Sequence, residues 1–216
     1  MKYGFLAGAL LLATSAQAGE AITYRGIPLG ISKSELRKLP IPDGEKARGV
    51  RMFCSGDGDV PAALRLPSLS MQLVSAGVSF CGYFRRGEDE ADYKVWGPEF
   101  GDLGAPPPVF LLVEEQGHEK LYRIELRLPS AEFDRTVRLL SLRYDKLILS
   151  TSTVRTNIGS AYQNVAAAWR FSDTSLVARK FSNSITQMSV TFGDDHLIQL
   201  VTDRIKDRDK AAATKM

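Results

Sequence analysis

Between Lys146 and Phe192 the chain repeats one pattern, short runs of strand-forming residues separated by short polar turns. The runs "KLILSTST", "NVAAAWRF", "SLVARKF" and "ITQMSVTF", with "HLIQLV" after them, are punctuated by "SDTS", "SNS" and "GDD". Such spacing predicts a meander of antiparallel strands. In the best-patterned run Met188, Val190 and Phe192 alternate with Gln187, Ser189 and Thr191, which predicts a sheet with one buried and one wet side. Two more strands, "PVFLLVEE" and "KLYRIELRL", flank the turn "EQGHE", where His118 is expected to be solvated.

Helical spacing interrupts the strands twice. After Pro129, the residues Phe133, Val137, Leu140 and Tyr144 form one apolar stripe, widened by Leu139. Ser130 is the expected N-cap, Glu132 and Asp134 suit the positive end, and the helix should run to about Lys146. Near the N-terminus, Ser32 and Glu35 have the spacing of a capping box, with Ile31 and Leu36 at the flanking staple positions. Leu39 precedes Pro40, which disfavours further helix, so this one should span Lys33 to Lys38. Ile22 to Arg25 reads as a strand and Gly26 to Gly30 as a turn; "GVRMFCSG" and "SMQLVSAGVSFCGYF" hold further strands, with Gly77 and Gly82 as bends or bulges. The expected fold is α+β: an antiparallel sheet, two helices packed on one side, and one disulfide.

The disulfide follows from where the chain is expected to go. Lys2, the apolar run Gly4 to Ala13 and Ala16-Gln17-Ala18 have the layout of a cleavable export signal over residues 1–18, giving a mature start at Gly19. The apolar run is too short to span a bilayer, and no later segment approaches that length. A periplasmic or secreted location is expected, with one domain over 19–205 and a charged, flexible tail over 206–216, helical at most at its start. Two cysteines, Cys54 and Cys81, in an oxidising compartment read as one bond. The chain-entropy model gives such a loop roughly 3 to 4 kcal/mol of stabilisation. Metal binding at "CSGDGD" finds no support. Zinc wants about four ligands, but His118 and His196 are isolated. A calcium loop begun at Asp57 would meet Pro61, Ala62 and Ser68 at positions that need oxygen ligands or glycine.

Charge excludes one partner class. The net charge is +3 over 216 residues, one less once Lys2 leaves with the leader, and both signs are mixed along the chain. No basic run is present to neutralise a row of phosphates, so nucleic acid is not an expected partner. The segment 85–108 changes character, charged first and then rich in Gly and Pro. Two readings of it stand. It is a surface connection with a short strand near Lys94 to Trp96, its Trp96 capping the core. Or it is a binding loop, with Tyr93, Trp96 and Phe100 contacting a protein partner and Arg85 and Arg86 at the rim.

No catalytic signature is complete in the sequence. "GVSFCG" is one residue too long for a nucleophile elbow, and no phosphate loop or dinucleotide fingerprint occurs. A serine triad would have to be assembled from His196 with Asp194 or Asp195, and no local feature supports that. No catalytic residue, metal or cofactor is expected.

The opening "RGIPLGISKSEL", followed by strands, resembles small secreted bacterial modules of the SmpA/OmlA and beta-lactamase-inhibitor-protein type. "LLSLRYDK" followed by "AAAWRF" looks like a helix-then-Trp-strand pattern of exported bacterial proteins. These modules bind proteins or stabilise assemblies. The resemblance therefore implies a non-catalytic interaction or accessory role in the bacterial cell envelope, with another envelope or secreted protein as partner. It carries over no functional residue. The alternatives are a cryptic hydrolase acting on envelope polymers and a secreted inhibitor or effector.

Overall fold

The computed structural model describes residues 22–61, 64, 69–87, 93–155 and 159–214. The expected leader, and residues 88–92 of the charged loop, lie outside the described residues. The chain opens with a hairpin of β1 (Thr23–Tyr24) and β2 (Ile27–Pro28). Its turn falls at Arg25-Gly26, both at positive φ, slightly earlier than the expected Gly26 to Gly30. Helix α1 spans Lys33–Lys38 as the capping box requires. The Ser32 hydroxyl accepts from the Glu35 amide at 3.2 Å, and the Ser32 amide donates to the Glu35 carboxylate at 2.8 Å.

One nine-stranded antiparallel sheet makes the rest of the frame. Its strands are β3 (Val50–Cys54), β4 (Val78–Arg86), β5 (Tyr93–Val95), β6 (Val109–Glu115), β7 (His118–Pro129), β8 (Ile148–Arg155), β9 (Ala161–Arg170), β10 (Thr174–Arg179) and β11 (Gln187–Asp194). The spatial order is β3-β4-β6-β7-β11-β10-β9-β8, with β5 against the far end of β4. Read from each outer edge inwards, both halves follow chain order, so two four-stranded meanders meet at their last strands. Each is preceded by a helix, α1 before the first and α3 (Phe133–Ser141) before the second.

Helices dress both faces. The two expected ones, α1 and α3, bury Leu36, Phe133 and Leu140 on the front face with Phe110, Leu112, Ile124, Leu126, Trp169 and Val190. Two unforeseen ones, α2 (Met71–Ser75) and α4 (Asp195–Ala213), cover part of the back face. There Leu197 and Val201 pack with Val78, Phe80, Leu111, Val113 and Tyr122. "HLIQLV" is therefore the start of a helix and not a strand. The Asp194 side chain accepts from the Leu197 amide at 2.9 Å, and Leu197 and Val201 fall on one helical face. The helix continues through the segment expected to be a tail.

α3 is shorter than its stripe predicted. A turn of 3-10 helix, Ser130–Glu132, precedes it. Ser130 caps nothing, because its hydroxyl donates to the Ile185 carbonyl at 2.8 Å. The helix stops at Ser141 and the chain then passes Lys146 at positive φ, which leaves Leu139 and Leu142 exposed. Cys54 and Cys81 face each other directly across β3 and β4, bonded and fully buried, 27 residues apart in sequence.

Candidate functional site

The five loop residues do not form one surface. Arg86 pairs in register with Tyr93, whose ring meets Phe53 edge-on at 5.4 Å in a small back-face cluster. Trp96 lies on the front face, edge-on to Tyr83 at 5.9 Å, with the Arg85 guanidinium 5.6 Å from its ring. Arg85 also donates to the Lys46 carbonyl. Phe100 turns in towards the main core within a tight loop, its amide donating to the Gly104 carbonyl at 2.7 Å. Tyr93 and Arg86 are thus separated from Trp96 and Arg85 by the thickness of the sheet. No flat partner touches both sets at once.

Among the described residues, polar groups gather in two clefts. One of about 190 Å³ is walled by Tyr24, Phe100, Tyr144 and Phe192, with Arg25 and Arg143 among its lining. Arg25 is committed to Asp43 and to the Glu99 carbonyl, and the Arg143 guanidinium sits 5.4 Å from the Tyr144 ring. Burial pushes the Tyr24 phenol well above its ordinary pKa, so it stays neutral.

The other cleft, about 220 Å³, gathers Glu115, Lys120, Asp173, Asp194, Asp195 and His196. Five of these six groups hydrogen-bond through their side chains. His196 shares a hydrogen bond of 2.9 Å with Glu115, and Lys120 donates to the same carboxylate at 2.7 Å. Hydrogen bonds from Lys120 first and His196 second hold the Glu115 carboxyl below its ordinary range. Asp194 caps α4, and Asp195 accepts from Ser175 at 2.6 Å. The serine therefore faces an aspartate and the histidine a glutamate, and no triad order is assembled here.

Near Cys54, Asp57 pairs with Lys33 at 2.9 Å and with Arg37, tying the "SGDGD" turn to α1. Lys33 also donates to Glu119 at 2.8 Å. Among the described residues no group of three or more His, Cys, Asp or Glu is arranged to hold a metal ion.

The strongest surface feature is strand β8, at the end of the sheet. Its eight residues, Ile148–Arg155, pair with β9 in unbroken register from Ile148↔Ala168 to Arg155↔Ala161. Among the described residues no strand pairs with its outer edge. Only Val154 is partly buried; the other seven positions are exposed. Exposed apolar side chains lie at its start and shortly before it in the chain: Leu142 is 81% exposed, Leu149 61% and Ile148 53%. Free edges expose a row of unpaired amides and carbonyls, and proteins blunt them with short strands, charges, prolines or bulges. The other free strand ends here are blunted: β3 has five residues with exposed Arg51 in it, and β5 has three with Lys94 at its centre. β8 carries no proline, no bulge and no charge before Arg155. Sequence reasoning found this strand but could not find its place at the edge. Its lack of any charge from Leu147 to Val154 was the available signal.

No known family model, curated protein or solved structure matches the chain. Among the described residues no helix is long and apolar enough to cross a membrane.

Proposed function

We propose that this is an exported, non-catalytic interaction protein of the bacterial cell envelope, and that it works by accepting an extended protein segment along β8. The observation that carries the reading is the edge itself, eight residues in continuous register with no proline, no bulge and no charge before Arg155. Main-chain hydrogen bonds from such an edge supply affinity, while side chains on alternate positions supply selectivity. The exposed Ile148 and Leu149 give the incoming segment an apolar end to cover. Export fits the buried Cys54–Cys81 bond, which an oxidising compartment would form and keep. The helix-then-meander order of both halves is in keeping with the protein-binding modules that "RGIPLGISKSEL" resembles. The hydrolase alternative gains nothing from the carboxylate cleft, where His196 is engaged by Glu115.

The test is site-specific photo-crosslinking in the periplasm of living cells, with the reactive group at position 152 on β8 or, as control, at position 203 on α4. A discrete protein adduct from position 152 alone is the expected result. Equal labelling from both positions, or turnover of envelope polymers by the pure protein, would overturn the reading.

A further inference from the structure

We infer that the segment β8 accepts is β8 of a second copy of this chain, joined antiparallel about a two-fold axis through Thr151; this rests on the strand-accepting reading above. The argument is the self-complementarity of the strand. Residues of one face must oppose residues of the same face when two sheet edges join, so in an antiparallel pair the two residue numbers add to an even total. A pivot at Thr151 sets Ile148 against the other copy's Val154, Leu149 against Thr153, and Ser150 against Ser152. Apolar meets apolar directly in the Ile148–Val154 pair, hydroxyl meets hydroxyl at the centre, and both pairings favour antiparallel strands.

Neighbouring pivots fit worse. A pivot at Ser152 sets Leu149 against Arg155 and Ser150 against Val154, while a pivot at Ser150 shortens the overlap and sets Ile148 against Ser152. Charge agrees with the Thr151 register. Between Leu147 and Val154 there is no charged side chain, so no like charges meet within the joint. Arg155 falls opposite Leu147 and diagonal to Leu149, where its aliphatic stem covers those two exposed side chains. Pairing of this kind already exists inside the chain, where β7 and β11 join the two meanders antiparallel.

The serine pair gives a register-specific test. In the full-length mature protein, Ser150→Lys with Ser152→Lys sets lysine against lysine at both symmetric pairs. Ser150→Lys with Ser152→Glu sets lysine against glutamate in the Thr151 register alone. Sedimentation equilibrium should show a concentration-dependent dimer for the wild type. The dissociation constant should rise about tenfold or more in the double-lysine variant and return near the wild-type value in the lysine–glutamate variant. Near-ultraviolet circular dichroism checks that both remain folded, and β8 amides should exchange more slowly in the dimer. A wild type that stays monomeric at high concentration, a dimer that survives the double lysine, or a folded lysine–glutamate variant that stays monomeric would each overturn the second-copy inference. Crosslinking from position 152 then separates the two levels: an adduct with a different protein leaves the strand-accepting reading standing, and no adduct removes both.

Discussion

Replacing both cysteines tests how the first meander is held. Cys54 and Cys81 are register partners on β3 and β4 with Cα atoms 4.0 Å apart, so the bond crosses one ladder rung and does not join distant elements. Its contribution is then mainly to the unfolded chain, where closing a loop of 27 residues costs about 3.6 kcal/mol in the chain-entropy model. Both sulfurs are fully buried against the front-face core, so truncation to alanine adds packing loss of roughly 1 kcal/mol per site. The double alanine variant should lose about 4 to 6 kcal/mol, while reduction of the wild type, which keeps both sulfur atoms, should lose about 3 to 4. With a urea slope near 2 kcal/mol per molar, reduction lowers the midpoint by about 1.5 to 2 M. The assay is urea unfolding followed by tryptophan fluorescence, with and without reductant, and the slope should rise as the reduced unfolded chain expands. A midpoint shift under about 0.5 M on reduction would refute the reasoning, because the loop term alone requires several times that. So would a loss of amide protection centred on β9 and β10, which lie in the other meander.

Trp96→Ala should cost roughly 2 to 3 kcal/mol in thermal or urea unfolding, less than a fully buried tryptophan because its ring is only partly covered, by Tyr83 and Arg85. A variant as stable as the wild type would favour the binding-loop reading over the core-capping one. Gly97→Ala places a methyl 2.5 Å from the Pro106 carbonyl group, so backbone must move and stability should fall by about 1 to 3 kcal/mol; an unchanged urea midpoint would contradict the close approach. Burial pushes the Glu119 carboxyl up, but hydrogen bonds from Lys33 and Ser79 outweigh it and hold the group below its ordinary range. A depressed carboxylate stabilises above its unfolded pKa of about 4.3 and loses that contribution as pH falls through the folded value. Urea midpoints should therefore decline below about pH 4.5 more steeply in the wild type than in Glu119→Gln; parallel curves would speak against it. Intact mass of the exported protein should place its N-terminus at Gly19, and a retained Met1 would remove the export argument.

Local signals were the legible ones. The capping box of α1 lies within four residues, Ser32 to Glu35, and needed nothing from the rest of the chain. The disulfide was legible because the sequence offers just two cysteines. α4 was obscured by its β-branched, apolar opening, which reads as strand over six residues. Widened to Ile205, the same text puts Leu197, Val201 and Ile205 at helical spacing, and those residues meet the back face beside Tyr122. α3 was overextended because Tyr144 continues the stripe in sequence, whereas the backbone leaves the helix after Ser141 and the ring instead meets Phe171 edge-on at 5.7 Å. The aromatic loop was ambiguous for a related reason: composition says that Tyr93, Trp96 and Phe100 will bury area, but sheet register decides on which face.

The place of β8 belongs to the same class of facts, and it decides the functional reading. Two meanders joined at β7 and β11 necessarily leave their first strands outside. The first meander handles this with a short β3 that carries Arg51 and is bonded to β4 through Cys54. The second has the longer outer strand, with no charge before its last residue, Arg155, and no crosslink to its neighbour. Among the described residues no strand covers this edge, and a bare edge of this length either aggregates or has an occupant. The residues at its start point to an occupant. Ile148 and Leu149 expose apolar surface on the two sides of the hydrogen-bonding row, so one extended segment could satisfy the backbone and cover side chains together. A strand with serine and threonine at its centre and apolar residues at both ends supplies that complement when reversed upon itself, and β8 is such a strand.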